Sequence, residues 1–279
     1  MSPAPDRYAV IGHPVDHSRS PDIHRLFAEQ CGQSMEYTHL PAPIDGFEGV
    51  ANAFFAAGGA GLNVTLPFKL AAAELADQLT ERARRAGAVN TLMASADGVL
   101  GDNTDGAGLV ADLVDNLGVE LAGRHVLILG AGGAVRGVVP NLLAAGAARI
   151  TIANRSTDKA RAIADACAGM GEVSACGLDG APDDADLVIN AISAGLTEGT
   201  MPAIDARVLT RAGAVYDMIY ADEPTPFLRW AAGYGVTTGR DGFGMLVEQA
   251  AESFALWRGV RPQTAPVIAA LRGATRQPD

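Results

Sequence analysis

A glycine-rich segment directly after an apolar strand constrains the fold of this 279-residue chain more than any other feature. Segment 125–130, H-V-L-I-L-G, is almost continuously apolar, as is typical of a strand buried on both faces of a parallel sheet. Segment 130–137, G-A-G-G-A-V-R-G, then predicts a tight turn and the start of a helix. A strand, a glycine turn and a helix in this order indicate a unit of an α/β domain.

The same alternation of strands and helices continues on both sides of this turn. Strands are predicted at 7–12, 35–40, 61–65, 88–94, 99–103, 125–130, 149–155, 172–176, 186–191 and 213–217. Helices are predicted from a cap at Ser20 or Asp22 to Gln30, over 45–57, 70–85, 105–117 and 157–168, and from the glycine turn after strand 125–130 to Ala145. The strands at 88–94 and 99–103 flank Asp97-Gly98, which predicts a hairpin. The pattern favours a parallel α/β fold, with the helix at 105–117 as the connection between two halves.

Composition excludes several classes of protein. The formal net charge of −11 and the lack of a dense basic run argue against binding to nucleic acid. No apolar run reaches membrane-spanning length, and the start of the chain lacks a secretory pattern, so we expect a cytoplasmic protein. The three cysteines show no C-x-x-C spacing, and the five histidines show no metal-ligand spacing. We therefore expect no metal, and we interpret the histidines as surface or loop residues.

The glycine turn is a candidate binding site for a dinucleotide. Gly130 would allow the tight turn, and Gly132 would let the backbone approach a pyrophosphate at the positive end of the helix. Val135 departs from the usual pattern, because a third glycine or alanine is common at its position. The competing interpretation is a glycine-rich turn without a ligand, which many α/β proteins contain. The order of strand, turn, helix and second strand favours the nucleotide.

The end of the second strand bears on which dinucleotide is bound. NAD-binding folds commonly place an acidic residue there, which binds the ribose 2′-hydroxyl. This chain instead has Arg155 after the strand and Lys159 one helical turn later, which would attract a 2′-phosphate. Asn154 and Ser156 can add hydrogen bonds. The location favours NADP, although a solvated basic helix start is the alternative.

Polar residues in the first half cluster at predicted strand ends, where ligands bind in open α/β sheets. They belong to H-S-R-S-P (17–21), N-V-T-L-P-F-K (63–69), V-N-T (89–91) and G-D-N-T-D-G (101–106). Lys69 lies in an apolar stretch that would lower its pKa, and Asp105 begins a predicted helix. Together they could form an acid–base pair. A surface lysine and a helix cap explain the same residues equally well.

Eight stretches in order resemble the shikimate dehydrogenase family. They are Y-A-V-I-G-H-P-V-D-H-S-R-S-P, N-V-T-L-P-F-K, A-G-A-V-N-T-L, G-D-N-T-D-G, G-A-G-G-A, A-N-R-S, Y-D-M-I-Y and D-G-F-G-M-L-V-E-Q-A-A. The resemblance covers nearly the whole chain. It implies an N-terminal α/β substrate domain, residues 1–105 and 242–279, and a Rossmann-type parallel-sheet NADP-binding domain, residues 106–241. It also implies a cleft between the two domains that holds the active site.

The resemblance further implies reversible, NADPH-dependent reduction of 3-dehydroshikimate to shikimate in aromatic amino acid biosynthesis, by a monomer or homodimer. Two alternatives remain: a quinate/shikimate dehydrogenase that uses NAD or NADP, and a binding protein or sensor without turnover. Ser20 and the Arg155 and Lys159 pair favour shikimate and NADP. The presence of both Lys69 and Asp105 argues against a sensor.

The resemblance also assigns roles to individual residues. The implied substrate-binding residues are Ser18, Ser20 and Tyr220 for the carboxylate, and Thr65, Lys69, Asn90, Asp105 and Gln249 for the ring hydroxyls. Lys69 is the implied acid–base residue, and Asp105 is its partner. The implied cofactor-binding residues are Glu81, Gly130, Ala131, Gly132, Gly133, Ala134, Val135, Asn154, Arg155, Ser156, Lys159, Met218 and Gly242. Arg19 is expected to point into solvent.

Overall fold

The computed structural model describes residues 4–192 and 204–274, and it divides into two compact units. Unit 1 comprises Met1–Gly108 and Leu246–Asp279, and unit 2 comprises Leu109–Met245. Each unit contains its own six-stranded sheet, which confirms the predicted α/β class. None of the helices in the described ranges is both long enough and apolar enough to span a membrane.

Most strands are followed by a helix, except that the fifth strand leads directly into the sixth and the last two helices are consecutive. The strands are β1 (Asp6–Gly12), β2 (Met35–Pro41), β3 (Gly59–Val64), β4 (Gln78–Leu79), β5 (Thr91–Ser95), β6 (Gly98–Asp102), β7 (His125–Leu129), β8 (Arg149–Ala153), β9 (Glu172–Cys176), β10 (Leu187–Asn190), β11 (Ala214–Asp217) and β12 (Gly239–Asp241). The helices are α1 (Ser20–Cys31), α2 (Phe47–Ala56), α3 (Lys69–Leu75), α4 (Glu81–Ala86), α5 (Asp105–Ala111), α6 (Gly133–Ala144), α7 (Thr157–Ala166), α8 (Pro226–Gly233), α9 (Phe243–Arg258) and α10 (Ala265–Ala274). The chain passes from unit 1 to unit 2 within α5 and returns within α9.

The sheet of unit 1 is mixed, with strand order β2-β1-β3-β5-β6-β4. β1 pairs in parallel with β2 and β3, so the carboxyl ends of these three strands lie at one edge. β5 pairs antiparallel with both β3 and β6. The β5–β6 pairing confirms the predicted hairpin, which turns at Gly98 with a positive φ of 106°. The loops that follow β1, β3 and β6 carry the polar motifs of the sequence.

The sheet of unit 2 is entirely parallel, with strand order β9-β8-β7-β10-β11-β12. In chain order within the unit this is 3-2-1-4-5-6, the order of the dinucleotide-binding Rossmann fold. Apolar clusters cover both faces: one contains residues of α6 and α7, and the other contains residues of α8. The order reverses between β7 and β10, which is the point where ligands bind in such sheets.

The helix predicted at 70–85 is wrong, because the structure has α3, β4 and α4 in its place. The helix ends because Asp77 pairs with β6 instead. The Asp77 amide donates to the carbonyl oxygen of Val99 (2.9 Å), and its carboxylate accepts from the Val99 amide (2.7 Å). These long-range hydrogen bonds replace the ones that a continuous helix would make.

The predicted helix at 105–117 changes geometry halfway, since α5 continues as a π-helical turn at Asp112–Asn116. Asp112 is buried, and its Oδ2 atom accepts a hydrogen bond of 2.6 Å from the Tyr216 hydroxyl. A buried carboxylate needs such a partner. Widening of the helix at this residue accompanies that contact.

The start of α1 also differs from its prediction, because neither Ser20 nor Asp22 is the N-cap. Arg19 occupies that position and makes no side-chain cap, while Ser20 and Pro21 lie in the first turn. The Ser18 hydroxyl accepts from the Ser20 amide instead (3.3 Å). Arg19 pairs with Asp22 at 3.4 Å and is only partly exposed, so it does not simply point into solvent.

The prediction that all five histidines are surface or loop residues is wrong for two of them. His24 is fully buried on α1, and His125 is buried at the start of β7. The Nε2 atom of His125 lies 2.9 Å from the Thr151 hydroxyl on β8. Both imidazoles thus pack inside the protein, and sequence spacing alone gave no sign of this.

Candidate active site

Lys69 and Asp105 form an ion pair in unit 1. Lys69 begins α3, directly after a tight turn in which the Phe68 amide donates to the Thr65 carbonyl oxygen (3.0 Å). Asp105 begins α5, after β6. The Lys69 Nζ atom lies 2.5 Å from Asp105 Oδ2, and the two side chains are 15% and 7% exposed. A partly desolvated ammonium and carboxylate at this distance can share or transfer a proton.

Asn90 joins this pair to α9. The Asn90 Nδ2 atom donates to Asp105 Oδ1 (2.9 Å) and lies 3.3 Å from Gln249 Oε1 on α9. The Asn90 Oδ1 atom accepts from the Thr104 amide (2.9 Å), which fixes the orientation of the Asn90 side chain. The structure therefore brings together four predicted substrate residues, Lys69, Asn90, Asp105 and Gln249, from four separate segments.

The predicted serine pair lies in the loop between β1 and α1. The Ser18 hydroxyl donates to the Ser20 hydroxyl at 3.1 Å, and Ser20 is buried while Ser18 is half-buried. Thr65 follows β3, and its amide donates to the Ile11 carbonyl oxygen (2.9 Å). Since β1 and β3 are parallel neighbours, the serine pair and Thr65 lie at the same edge of the sheet.

Sequence reasoning missed a buried polar network beneath these residues, centred on Asn63. The Asn63 Nδ2 atom lies 2.9 Å from the Ser253 hydroxyl on α9 and 3.2 Å from the Thr91 hydroxyl on β5. The Thr91 hydroxyl in turn donates to Asn90 Oδ1 (2.9 Å). An asparagine within the otherwise apolar strand G-L-N-V was the available signal, because a buried amide requires partners.

A network of ion pairs and hydrogen bonds around Arg82 holds the loop that leads to Asp105. Arg82 donates from two nitrogens to the fully buried carboxylate of Asp102, and from a third to Glu252 on α9 (2.9 Å). Thr80 also donates to Asp102 (2.5 Å). Burial would raise the pKa of Asp102, but the hydrogen bonds from Arg82 and Thr80 outweigh it and hold the pKa below its usual value. These contacts connect the end of β6, three residues before Asp105, to α9, which carries Gln249.

The glycine turn of unit 2 lies at the point where the strand order reverses. Gly130 has φ +112°, and a Cβ atom there would lie 2.9 Å from the backbone of Ala191, which follows β10. A Cβ atom at Gly132 or Gly133 would meet nothing within 4 Å. Gly132 is the N-cap of α6 and has no side chain to cap the first-turn amides. The open space and these amides fit a pyrophosphate group.

Three further residues of this turn that were predicted to bind the cofactor differ in how accessible they are to a ligand. Ala131 and Ala134 are partly exposed, so their backbone is accessible. Val135 lies in the first turn of α6, where its side chain is fully buried in the core of unit 2, and its amide donates to the Gly132 carbonyl oxygen (3.1 Å). Position 135 is thus a packing position, which explains why a valine replaces the small residue that the motif predicts.

The basic residues predicted to hold a 2′-phosphate follow β8, the strand beside β7. Arg155 and Lys159 are exposed, and Ser156 is the N-cap of α7. The Asn154 side chain donates to the Ser156 carbonyl oxygen (2.9 Å), which stabilises the loop between β8 and α7. Two cations beside the glycine turn fit an additional phosphate on the ribose.

Four other residues that were predicted to bind substrate or cofactor lie outside these segments. Met218 and Gly242 lie together in unit 2, because a Cβ atom at Gly242 would collide with the Met218 carbonyl group. Tyr220 is also in unit 2 and packs edge-to-face against Phe243, with ring centroids 6.0 Å apart. Glu81 begins α4 in unit 1, where it is exposed and pairs with two arginines of the same helix. Within residues 4–192 and 204–274, no group of His, Cys, Asp or Glu is arranged to hold a metal ion.

Fold and site together define a class of protein. A 3-2-1-4-5-6 parallel sheet with a glycine turn at its reversal point is the architecture that binds dinucleotides. A half-buried lysine paired with an aspartate, in the other unit, is a group that can move a proton while the dinucleotide moves a hydride. The chain is a two-unit α/β dehydrogenase dependent on NADP.

Comparison with known proteins narrows this class to one family. Family profiles match three segments: "Shikimate dehydrogenase substrate binding domain" at 10–92, "Shikimate / quinate 5-dehydrogenase" at 112–207, and "Shikimate 5'-dehydrogenase C-terminal domain" at 242–272. The NADP(+)-dependent shikimate dehydrogenase of Alkalilimnicola ehrlichii is 55% identical over 96% of this chain and 98% of its own length. The corresponding protein of Thioalkalivibrio sulfidiphilus is 57% identical over 96% and 98%. The chain belongs to the shikimate dehydrogenase family.

A solved structure of the family has the same fold. Shikimate 5-dehydrogenase from Thermus thermophilus, in complex with NADP(H) and shikimate, superposes with a TM-score of 0.86 at 34% sequence identity. The match covers 96% of this chain and 99% of the Thermus chain. The similarity therefore extends over both units and over all the segments that carry the candidate site.

Proposed function

We propose that this chain catalyses the reversible, NADPH-dependent reduction of 3-dehydroshikimate to shikimate, with the substrate on unit 1 and the cofactor on unit 2. The observation that carries the proposal is the cluster of Lys69, Asn90, Asp105 and Gln249, joined by hydrogen bonds and by the Lys69–Asp105 ion pair. A polar cluster of this kind suits a small ring that carries several hydroxyl groups. The curated relatives named above have this activity in their names.

The residues of unit 1 provide the proton chemistry. NADPH, when bound, supplies a hydride to the carbonyl carbon of the ring. As negative charge develops on the carbonyl oxygen, the Lys69 ammonium stabilises it and donates a proton. Asp105 holds Lys69 in place and accepts a hydrogen bond from a ring hydroxyl. Asn90 and Gln249 orient the remaining hydroxyls, and Ser18 and Ser20 bind the ring carboxylate.

A direct assay tests this proposal. The purified chain should oxidise NADPH when 3-dehydroshikimate is added, and it should reduce NADP when shikimate is added; both reactions are followed at the absorbance of the reduced cofactor. Parallel assays with NAD and with quinate test the broader quinate/shikimate activity that the central family profile includes in its description. Absence of turnover with 3-dehydroshikimate and NADPH would contradict the proposal, and faster turnover with quinate and NAD would replace it.

Arg155→Ala should raise the KM for NADPH about tenfold or more and leave the KM for NADH within about twofold. The reason is that only NADPH carries the 2′-phosphate that the exposed guanidinium would bind. Arg161→Ala is the matched control, since Arg161 is also exposed and lies on α7, where it pairs with Asp158. Equal changes for NADPH and NADH in the Arg155 variant would remove its role in binding the 2′-phosphate.

We also propose that the protein works in a reducing compartment, the cytoplasm. All three cysteines, Cys31, Cys167 and Cys176, are free thiols. Oxidising compartments favour paired cysteines, so three unpaired thiols support this assignment.

A further inference from the structure

The carboxylate of Asp217 lies buried at the end of β11, directly before the predicted cofactor residue Met218. Its Oδ1 atom accepts from the Asn190 side chain (2.9 Å) and from the Ile219 amide (3.1 Å). Its Oδ2 atom accepts from the Thr225 hydroxyl (2.6 Å). Donors from three segments of unit 2 thus meet on one carboxylate, to which neither the motifs nor the family resemblance assigns a role.

The orientation of the Asn190 amide follows from its neighbours. The Ile192 amide, which can only donate, lies 3.2 Å from Asn190 Oδ1. The Asn190 Nδ2 atom must therefore face Asp217, which accepts from it. The Asn190 carbonyl oxygen also accepts from the Met218 amide (2.9 Å). A side-chain and a backbone hydrogen bond thus join the end of β10 to the end of β11.

The backbone that follows β11 is held on both sides. The hydrogen bond from the Ile219 amide back to Asp217 Oδ1 closes a tight turn around Met218. The Ile219 carbonyl oxygen accepts in turn from the amide of Gly242, which follows β12 (3.0 Å). Met218 itself is half-buried, so part of it stays accessible to a ligand.

The place of this turn in the sheet indicates which half of a dinucleotide it meets. The fold consists of two mononucleotide-binding halves, here β7 with β8 and β9, and β10 with β11 and β12. The 2′-phosphate of NADP is on the adenosine half, and the basic residues that would bind it, Arg155 and Lys159, follow β8. The turn at Met218 follows β11, so it belongs to the half that would hold the nicotinamide.

The three donors do not fully offset the burial of this carboxylate. Burial raises the pKa of Asp217, and the hydrogen bonds from Thr225, the Ile219 amide and Asn190 counter only part of that rise. Asp241 on β12 is also buried, and its charge raises the pKa of Asp217 further. An apolar side chain would avoid this desolvation. What the carboxylate adds instead is a fixed geometry for the segments that donate to it.

We propose that Asp217 is a positioning residue for the nicotinamide half of the cofactor: it fixes the turn at 217–219 so that Met218 lines the space where that half binds. The inference rests on the proposed function, because that function places NADP on unit 2. It assigns to Asp217 a role through Met218 and no contact with the reacting atoms.

The test compares binding of two ligands to the full chain by titration calorimetry: NADP, and adenosine 2′,5′-bisphosphate, which lacks the nicotinamide half. Asp217→Ala should weaken NADP binding about tenfold, because the turn loses the hydrogen bonds that fix it. The bisphosphate should bind within about twofold of its affinity for the parent chain, since it occupies only the half that contains β7 and β8. A role confined to folding would weaken both ligands alike.

Two further variants complete the design. In Asp217→Asn the side-chain oxygen keeps the acceptor function of Oδ1 and the new amide group donates to the Thr225 hydroxyl, so NADP affinity should stay within about threefold of the parent chain. Asp186→Ala is the matched control, because Asp186 precedes β10 at the opposite edge of the same sheet, where its carboxylate accepts from the His125 amide (2.9 Å). It should change neither affinity.

A double variant tests whether Asp217 acts through Met218. Asp217→Ala combined with Met218→Ala should weaken NADP binding by less than the product of the two separate losses, because both changes remove one contact. Losses that multiply in full would contradict a role through Met218.

Equal losses for both ligands in Asp217→Ala, unchanged NADP binding in that variant, or an Asp217→Asn variant as weak as Asp217→Ala would each overturn the proposal. Binding is measured without shikimate, so a parent chain that binds NADP but does not reduce it with shikimate would contradict the proposed function and leave the comparison of Asp217 intact. A parent chain that does not bind NADP would overturn both.

Discussion

Lys69→Ala should lower kcat by a factor of about 10² to 10⁴ while the KM for shikimate changes far less, because the variant has no group to donate the proton in the transition state. The Lys69 ammonium lies 2.5 Å from Asp105 and is only 15% exposed, so solvent is a poor substitute for it. Steady-state kinetics in both directions, at several pH values, provide the measurement.

Lys69→Arg separates proton transfer from the ion pair. Arginine keeps the positive charge next to Asp105 but does not release its proton at accessible pH, so the fold should persist while kcat stays low. This control matters because Lys69→Ala leaves a nearly buried carboxylate unpaired, which by itself destabilises a protein. If either variant keeps a kcat near that of the parent chain, Lys69 is not the proton donor.

Gly130→Ala should destabilise the protein by about 2–4 kcal/mol, because position 130 combines a left-handed backbone with close contact. Its φ is +112°, and the added methyl group would lie 2.9 Å from the backbone of Ala191, which cannot move without shifting the end of β10. Urea unfolding followed by circular dichroism measures the change in the free energy of unfolding.

Gly132→Ala is the matched substitution, and we expect it to leave stability unchanged but to weaken the use of NADPH. Its φ is −85°, and a Cβ atom there meets open space, so stability should stay within about 0.5 kcal/mol of the parent chain. The added methyl group would instead occupy the space where a pyrophosphate approaches the backbone, and the KM for NADPH should rise about tenfold. A Gly132 variant with normal NADPH kinetics, or a Gly130 variant of normal stability, would show that the roles of the two glycines are assigned wrongly.

The sequence predicts the architecture well because the alternation of apolar strands and amphipathic helices is a local signal. The parallel sheet of unit 2 and the hairpin of unit 1 both follow from such patterns. The break between α3 and α4 does not, because it depends on hydrogen bonds from Asp77 to Val99, 22 residues further along the chain. A helical pattern at 70–85 contains no information about that partner.

The candidate site shows the same division between local and distant information. Lys69 and Asp105 stand out in their motifs, but a sequence cannot show that they lie 2.5 Å apart. The network around Asn63 is harder still to predict, because its members come from β2, β3, β5, α1 and α9. Val135 shows the converse: its place in a motif suggests contact with a ligand, whereas its side chain is buried in the core.

Lys69 and Lys159 have a consequence for chemical labelling. They are the only two lysines in the sequence, whose other side-chain cations at neutral pH are arginines. An amine-selective reagent therefore has two side-chain targets, one beside Asp105 in unit 1 and one in the first turn of α7 in unit 2. Acylation of this protein at lysine would report directly on its two proposed ligand sites, with no background from other surface lysines.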